Sequence, residues 1–135
     1  MTDAEQIHAV VDSTTARFDR IDVLVNNAGI SWGAPFEDMR LADWHKVIET
    51  NLTGTFLFSQ AVGKVMIAQG RGKIINMASV AGMGGAPPEI IQATAYHASK
   101  GAVIPLTKDL ACKWAAHNIQ VNAIAPSWFP THTSD

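Results

Sequence analysis

The chain has 135 residues, 47% hydrophobic and 16% charged, with a formal net charge of −2 and a pI near 6.2. That is the length of one domain, with too little charge for a disordered segment and no basic field to attract a phosphate backbone. No apolar run is long enough to cross a bilayer, the first residues lack the basic and apolar regions of a signal peptide, and the lone Cys112 has no internal disulfide partner; the expectation is a soluble, cytoplasmic protein without nucleic-acid or membrane partners.

Thr2 and Glu5 have the T-x-x-E spacing of a capping box, so a helix is predicted to start at once. Ile7, Val10, Val11 and Phe18 recur at helical intervals, and Arg17, Asp19 and Arg20 mark the polar end. The β-branched run 21–25 reads as a buried parallel strand, halted by Asn26-Asn27-Ala28-Gly29, where Gly29 can supply a backbone angle costly for other residues. From Leu41 to about Met66, the residues Trp44, Val47, Ile48, Leu52, Phe56, Val62 and Val65 give one long helix a wide apolar face, stopped by Gly70 and Gly72. A second strand, 73–78, ends at Ser79, and the segment rich in Gly and Pro that follows is a surface loop. A helix from about Thr94 to His117 carries Tyr96, Lys100, Val103, Leu106, Leu110 and Trp114, with a local bend at Pro105. A third strand, 119–124, precedes Pro126. This alternation predicts an α/β layer whose parallel strands are joined by crossover helices.

Polar residues gather past the carboxyl ends of the three strands, the edge where open α/β sheets bind ligands. Tyr96 and Lys100, four residues apart, share a helix face on that side. A tyrosine hydroxyl, with a pKa near 10, is a poor base at neutral pH, and a nearby ammonium favours its phenolate. Lowering that value to about 7 requires roughly 4 kcal/mol, a plausible contribution from a close cation in a partly dry cleft. An isolated Y-x-x-x-K pair is more often surface decoration, so its weight comes from its company. His8, His45, His97, His117 and His132 show no paired metal spacing, and Cys112 reads as a small buried filler; no metal site is predicted.

That company is Asn26-Asn27-Ala28-Gly29, Asn51, Ser79 and Asn122-Ala123-Ile124-Ala125-Pro126, in chain order around Tyr96 and Lys100. With it the chain resembles the short-chain dehydrogenase/reductase family over nearly its whole length. The resemblance implies the central and C-terminal part of a Rossmann-type, doubly wound parallel sheet, a single partial NAD(P)-binding domain over residues 1–135. The family's opening strand and T-G-x-x-x-G-x-G turn, which sets a pyrophosphate at a helix N-terminus, have no counterpart in these residues. The implied activity is hydride transfer between NAD or NADP and a secondary alcohol or ketone. Tyr96 would be the general acid/base, and Ser79 would hydrogen-bond the same substrate oxygen. Lys100 would hold the nicotinamide ribose and depress the Tyr96 pKa. Asn51 would hold a water linking Lys100 to solvent, with an amide capping a kinked backbone as the alternative. Asn26, Ala28 and Gly29 would border the adenine-side ribose, and Thr131, with backbone groups near Phe129, would meet the nicotinamide carboxamide.

The resemblance also implies a homo-oligomer, dimer or tetramer, with Trp44 and Trp114 as core or interface anchors on helices that pair across it. Two departures stand out. Ser127 follows Pro126 where the family usually has Gly, so the loop under the nicotinamide is expected to take a different path. The sixteen residues 80–95 between Ser79 and Tyr96 exceed the common length, and the surplus at 84–89 is similar to that of sugar-acid and polyol dehydrogenases of the gluconate 5-dehydrogenase type. The strand that flanks residues 21–25 in the complete fold is not encoded, which predicts self-association or poor solubility through an unpaired edge. The competing expectation is a catalytically silent relative acting as an assembly module.

Overall fold

The computed structural model describes residues 2–129. Helix α1 (Ala4–Phe18) is capped by Asp3 rather than by Thr2: the Asp3 carboxylate accepts from the backbone N–H groups of Glu5 at 3.0 Å and Gln6 at 3.1 Å. A carboxylate satisfies these donors and also meets the positive end of the helix dipole, which corrects the expected Thr2–Glu5 box. The helix ends at Asp19, in the left-handed region at φ 65°.

The strands β1 (Val23–Asn26), β2 (Gly72–Met77) and β3 (Ile119–Ile124) form one parallel sheet in the order β1-β2-β3. The expected helix from Leu41 to Met66 is two helices, α2 (Leu41–Ile48) and α3 (Gly54–Gln69), joined by a π-turn over Glu49–Thr53. The wide turn falls at Asn51, a buried amide whose bonds reach outside the helix. Gly70, at φ 73°, closes α3. Helix α4 (Thr94–Trp114) includes Pro105 and finishes in a short 3₁₀ turn to His117.

Register decides which residues share a face. Leu24 pairs with Ile74 and Ile74 with Val121, while Val25 pairs with Ile75 and Ile75 with Asn122. The first set joins Ile7 and Val11 of α1 and Ala61, Val62 and Met66 of α3 in the main core, with Leu110 and Trp114 of α4 packed against it. The same face carries a buried polar chain. Asn26 Nδ2 donates to Ser59 Oγ at 3.0 Å and Asn76 Oδ1 at 2.8 Å, and Asn76 Nδ2 donates to Thr107 Oγ1 at 3.0 Å, linking α3, β1, β2 and α4. Each buried polar group thereby keeps a partner.

The opposite face is open: Val23, Val25 and Ile124 are 51%, 52% and 52% exposed. Among the described residues β1 pairs only with β2, so its second edge is unpaired. Trp114 lies over Gly63, where any Cβ would collide with the indole ring. Half-buried Trp114 is thus an anchor within the chain, and Cys112, expected to be buried, is exposed on the other side of α4.

Candidate active site

The exits of β2 and β3 are stitched together by backbone: Ala78 N–H donates to the Ile124 carbonyl at 2.8 Å and Val80 N–H to the Pro126 carbonyl at 3.1 Å. Beside this seam, at the carboxyl edge of the sheet, lies a cleft of about 1120 Å³. Gly29, Ser79, Tyr96, Lys100 and Phe129 all line it.

Ser79 caps the 3₁₀ turn Val80–Met83, its Oγ accepting from Ala81 N–H at 3.1 Å. Because the oxygen acts as acceptor there, the hydroxyl proton remains available to donate. Tyr96 and Lys100 lie in the first turns of α4. Lys100 is only 5% exposed, and its Nζ donates to the Met77 carbonyl at 2.6 Å and sits 5.7 Å from the centre of the Tyr96 ring. Burial lowers the Lys100 pKa from its ordinary 10.5. An ammonium has three N–H donors, so one carbonyl leaves two for other acceptors.

Two close approaches fix this arrangement. A Cβ at Gly82 would lie 2.5 Å from Gly101 N and from Lys100 C, so the turn after Ser79 rests directly on the α4 backbone. Across the cleft, a Cβ at Gly29 would lie 3.4 Å from both Lys100 Nζ and Asn51 Oδ1. Gly29 does not adopt a left-handed angle, since Gly70 alone among the described glycines has positive φ; it stands at contact distance from the ammonium.

Asn51, 1% exposed, holds the Gly29–Ile30 wall from behind. Its Oδ1 accepts from Ile30 N–H at 2.8 Å, and its Nδ2 donates to the Ile30 carbonyl at 2.9 Å and to Ser99 Oγ at 3.0 Å. Both amide protons are used, leaving one lone pair on Oδ1. Among the residues expected to border a ribose, Gly29 lines the cleft, together with Asn27, whereas Asn26 turns its side chain into the polar chain below the sheet. Ala28 is exposed on the same loop, Phe129 lies at the cleft, and Thr131 falls outside the described residues. His97, weighed from sequence only as a metal ligand, also lines the cleft; the signal for it was its position directly after Tyr96.

Ser79, Tyr96 and Lys100 are thus gathered at the carboxyl edge of a parallel α/β sheet, the edge at which open α/β folds bind their ligands. Residues 1–135 match the short chain dehydrogenase family, and the chain belongs to it. It is 44% identical over 127 residues to a D-threitol dehydrogenase of Mycolicibacterium smegmatis, covering 94% of this chain and 47% of that protein. It is 42% identical over 135 residues to a 3-oxoacyl-[acyl-carrier-protein] reductase of Synechocystis, covering 100% and 53%. A gluconate 5-dehydrogenase from Burkholderia cenocepacia, solved in complex with NADP and tartrate, superposes with a TM-score of 0.90 at 43% identity, covering 96% of this chain and 49% of that one. The chain therefore spans about half the length of the relatives it matches.

Proposed function

We propose that this chain carries the substrate- and nicotinamide-facing part of an NAD(P)-dependent oxidoreductase that interconverts a secondary alcohol and its ketone. The observation that carries this reading is Lys100: a buried ammonium with one carbonyl partner, beside Tyr96 and facing a glycine wall across a cleft that also contains Ser79. Among the described residues two of its donors are unused; they fit the vicinal hydroxyls of a ribose, and Gly29 leaves room for the sugar to approach. The nicotinamide, when bound, supplies or accepts the hydride.

The chain's own residues manage the oxygen. In the reducing direction Tyr96 gives its phenolic proton to the carbonyl oxygen, and in the oxidising direction it takes the proton of the alcohol. Ser79 donates a hydrogen bond to the same oxygen, stabilising charge that develops on it. Asn51 keeps Gly29 and Ile30 against Lys100, and a water relay from Lys100 would have to use its remaining Oδ1 lone pair. Asn26 and Ala28 would contribute to the ribose-binding loop by shaping its backbone, and the family resemblance alone assigns Thr131, with backbone groups near Phe129, to the nicotinamide carboxamide. Hydroxylated substrates, polyols or sugar acids, are supported by the likeness to the threitol and gluconate enzymes. A homo-oligomer in the cytoplasm completes the reading on the family resemblance alone.

The second reading, an assembly module without turnover, is favoured by the open sheet face at Val23, Val25 and Ile124. Titration with NADH and NADPH, followed by nicotinamide fluorescence, separates the two. Saturable binding that weakens in Lys100→Met supports the enzyme. No response at millimolar cofactor supports the module.

A further inference from the structure

The loop over residues 83–90 forms an exposed lip on the cleft. Its Pro87 carbonyl accepts from Ile90 and Ile91, and the Gln92 carbonyl beyond it accepts from Ala34 N–H at 2.9 Å. At the near end, the Gly84 carbonyl lies 3.1 Å from Nδ1 of His97, the residue after Tyr96. A carbonyl oxygen can only accept, so this contact is a hydrogen bond only when Nδ1 carries the proton. The neutral ring is then fixed as the Nδ1–H tautomer, and Nε2 is an acceptor. Among the described residues Nε2 has no hydrogen-bond partner, and His97 lines the same cleft as Tyr96.

We propose that His97 is a specificity residue of this cleft: with Nδ1–H held by the Gly84 carbonyl, Nε2 accepts a hydrogen bond from a second hydroxyl of the substrate, beyond the one that reacts at Tyr96. The inference rests on the oxidoreductase reading of the cleft. The substrate class it selects is a diol or polyol. A carboxylate in that place would need a donor, which the neutral ring turned this way does not offer. A simple secondary alcohol would leave Nε2 without a partner, and a site built to bond a hydroxyl discriminates against the analogue that lacks it.

The test is long-range ¹H–¹⁵N correlation on the ¹⁵N-labelled chain, with the His97 signals identified by their loss in His97→Asn. The expected spectrum shows Nδ1 protonated and Nε2 bare, and saturating xylitol moves the Nε2 resonance while pentan-3-ol does not. His97→Asn can still donate to the Gly84 carbonyl but has no acceptor at the Nε2 position, so its xylitol affinity should fall about fivefold, as should that of His97→Leu. An Nε2–H tautomer, an Nε2 signal unmoved by saturating xylitol, or parental xylitol affinity in His97→Asn would each overturn the assignment. NADH affinity is measured on the same samples and should be unaltered in both variants. Its absence in the parent chain would count against the oxidoreductase reading, whereas the tautomer and the xylitol response judge His97 separately.

Discussion

Gly82→Ala offers a direct perturbation of the cleft's framework that leaves the side chains of Ser79, Tyr96 and Lys100 chemically unchanged. The added Cβ would lie 2.5 Å from both Gly101 N and Lys100 C and 2.7 Å from the Lys100 carbonyl oxygen. Ordinary carbon contacts lie near 3.5–4.0 Å, so about 1 Å must be found. All three neighbours are backbone of α4, which cannot swing aside as a side chain would. The turn Val80–Met83 must therefore lift, and Ser79, whose Oγ caps it, moves away from Tyr96 and Lys100. Overpacking of this kind costs about 1–3 kcal/mol, a fall in melting temperature of roughly 4–12 °C for a chain of this size. Gly84→Ala is the matched control: a Cβ there meets nothing within 4 Å, and φ −170° is extended backbone that alanine adopts. Thermal unfolding followed by circular dichroism should show a large loss for the first and a change below about 2 °C for the second. Equal melting of the two variants would refute the claim that the turn rests on α4.

Asn51→Ala removes three hydrogen bonds from a buried amide and should cost about 2–4 kcal/mol in urea unfolding while weakening any cofactor binding; an unchanged midpoint would show that Ile30 is held by something else. Asp3→Ala should cost about 1 kcal/mol and Thr2→Ala far less, a ranking that reverses if Thr2 is the cap. Lys100 has a folded pKa below 10.5, so the native state holds fewer protons than the unfolded chain just below that pH, and the cost of burying the charge is relieved as pH rises. The stability of the parent relative to Lys100→Met should therefore increase as pH climbs toward 10.5, and a falling difference would contradict the burial argument.

The parallel sheet was legible because its strands are short β-branched runs, and Tyr96 and Lys100 because helical spacing alone puts them on one face. Other features depend on neighbours distant in the chain. Asn26 and Asn27 look alike in sequence, yet Ser59 and Asn76 draw the first below the sheet and leave the second at the cleft. The π-turn at Asn51 was hidden because apolar residues recur at helical intervals on both sides of it. Thr2 and Asp3 are adjacent cap-forming types, and only the backbone geometry chooses between them. Gly29 was read both as a conformational requirement and as a place of close approach; its φ is not positive, and the structure sets it within 3.4 Å of Lys100 Nζ as measured from an added Cβ, because sequence cannot distinguish a glycine needed for its φ from one needed for its missing Cβ. Cys112 was misplaced because the face of α4 that meets the core is set by Trp114 settling on Gly63.

The central proposal is that Tyr96 and Ser79 act together on one substrate oxygen while Lys100 holds the nicotinamide ribose beside them. Its most direct test is the rate of hydride transfer from bound NADPH to a polyol-derived ketone, measured for the parent and for Tyr96→Phe at matched cofactor saturation. The expected loss in that rate is about 10²–10⁴-fold, with cofactor affinity preserved. Transfer by the phenylalanine variant at the parental rate would contradict it.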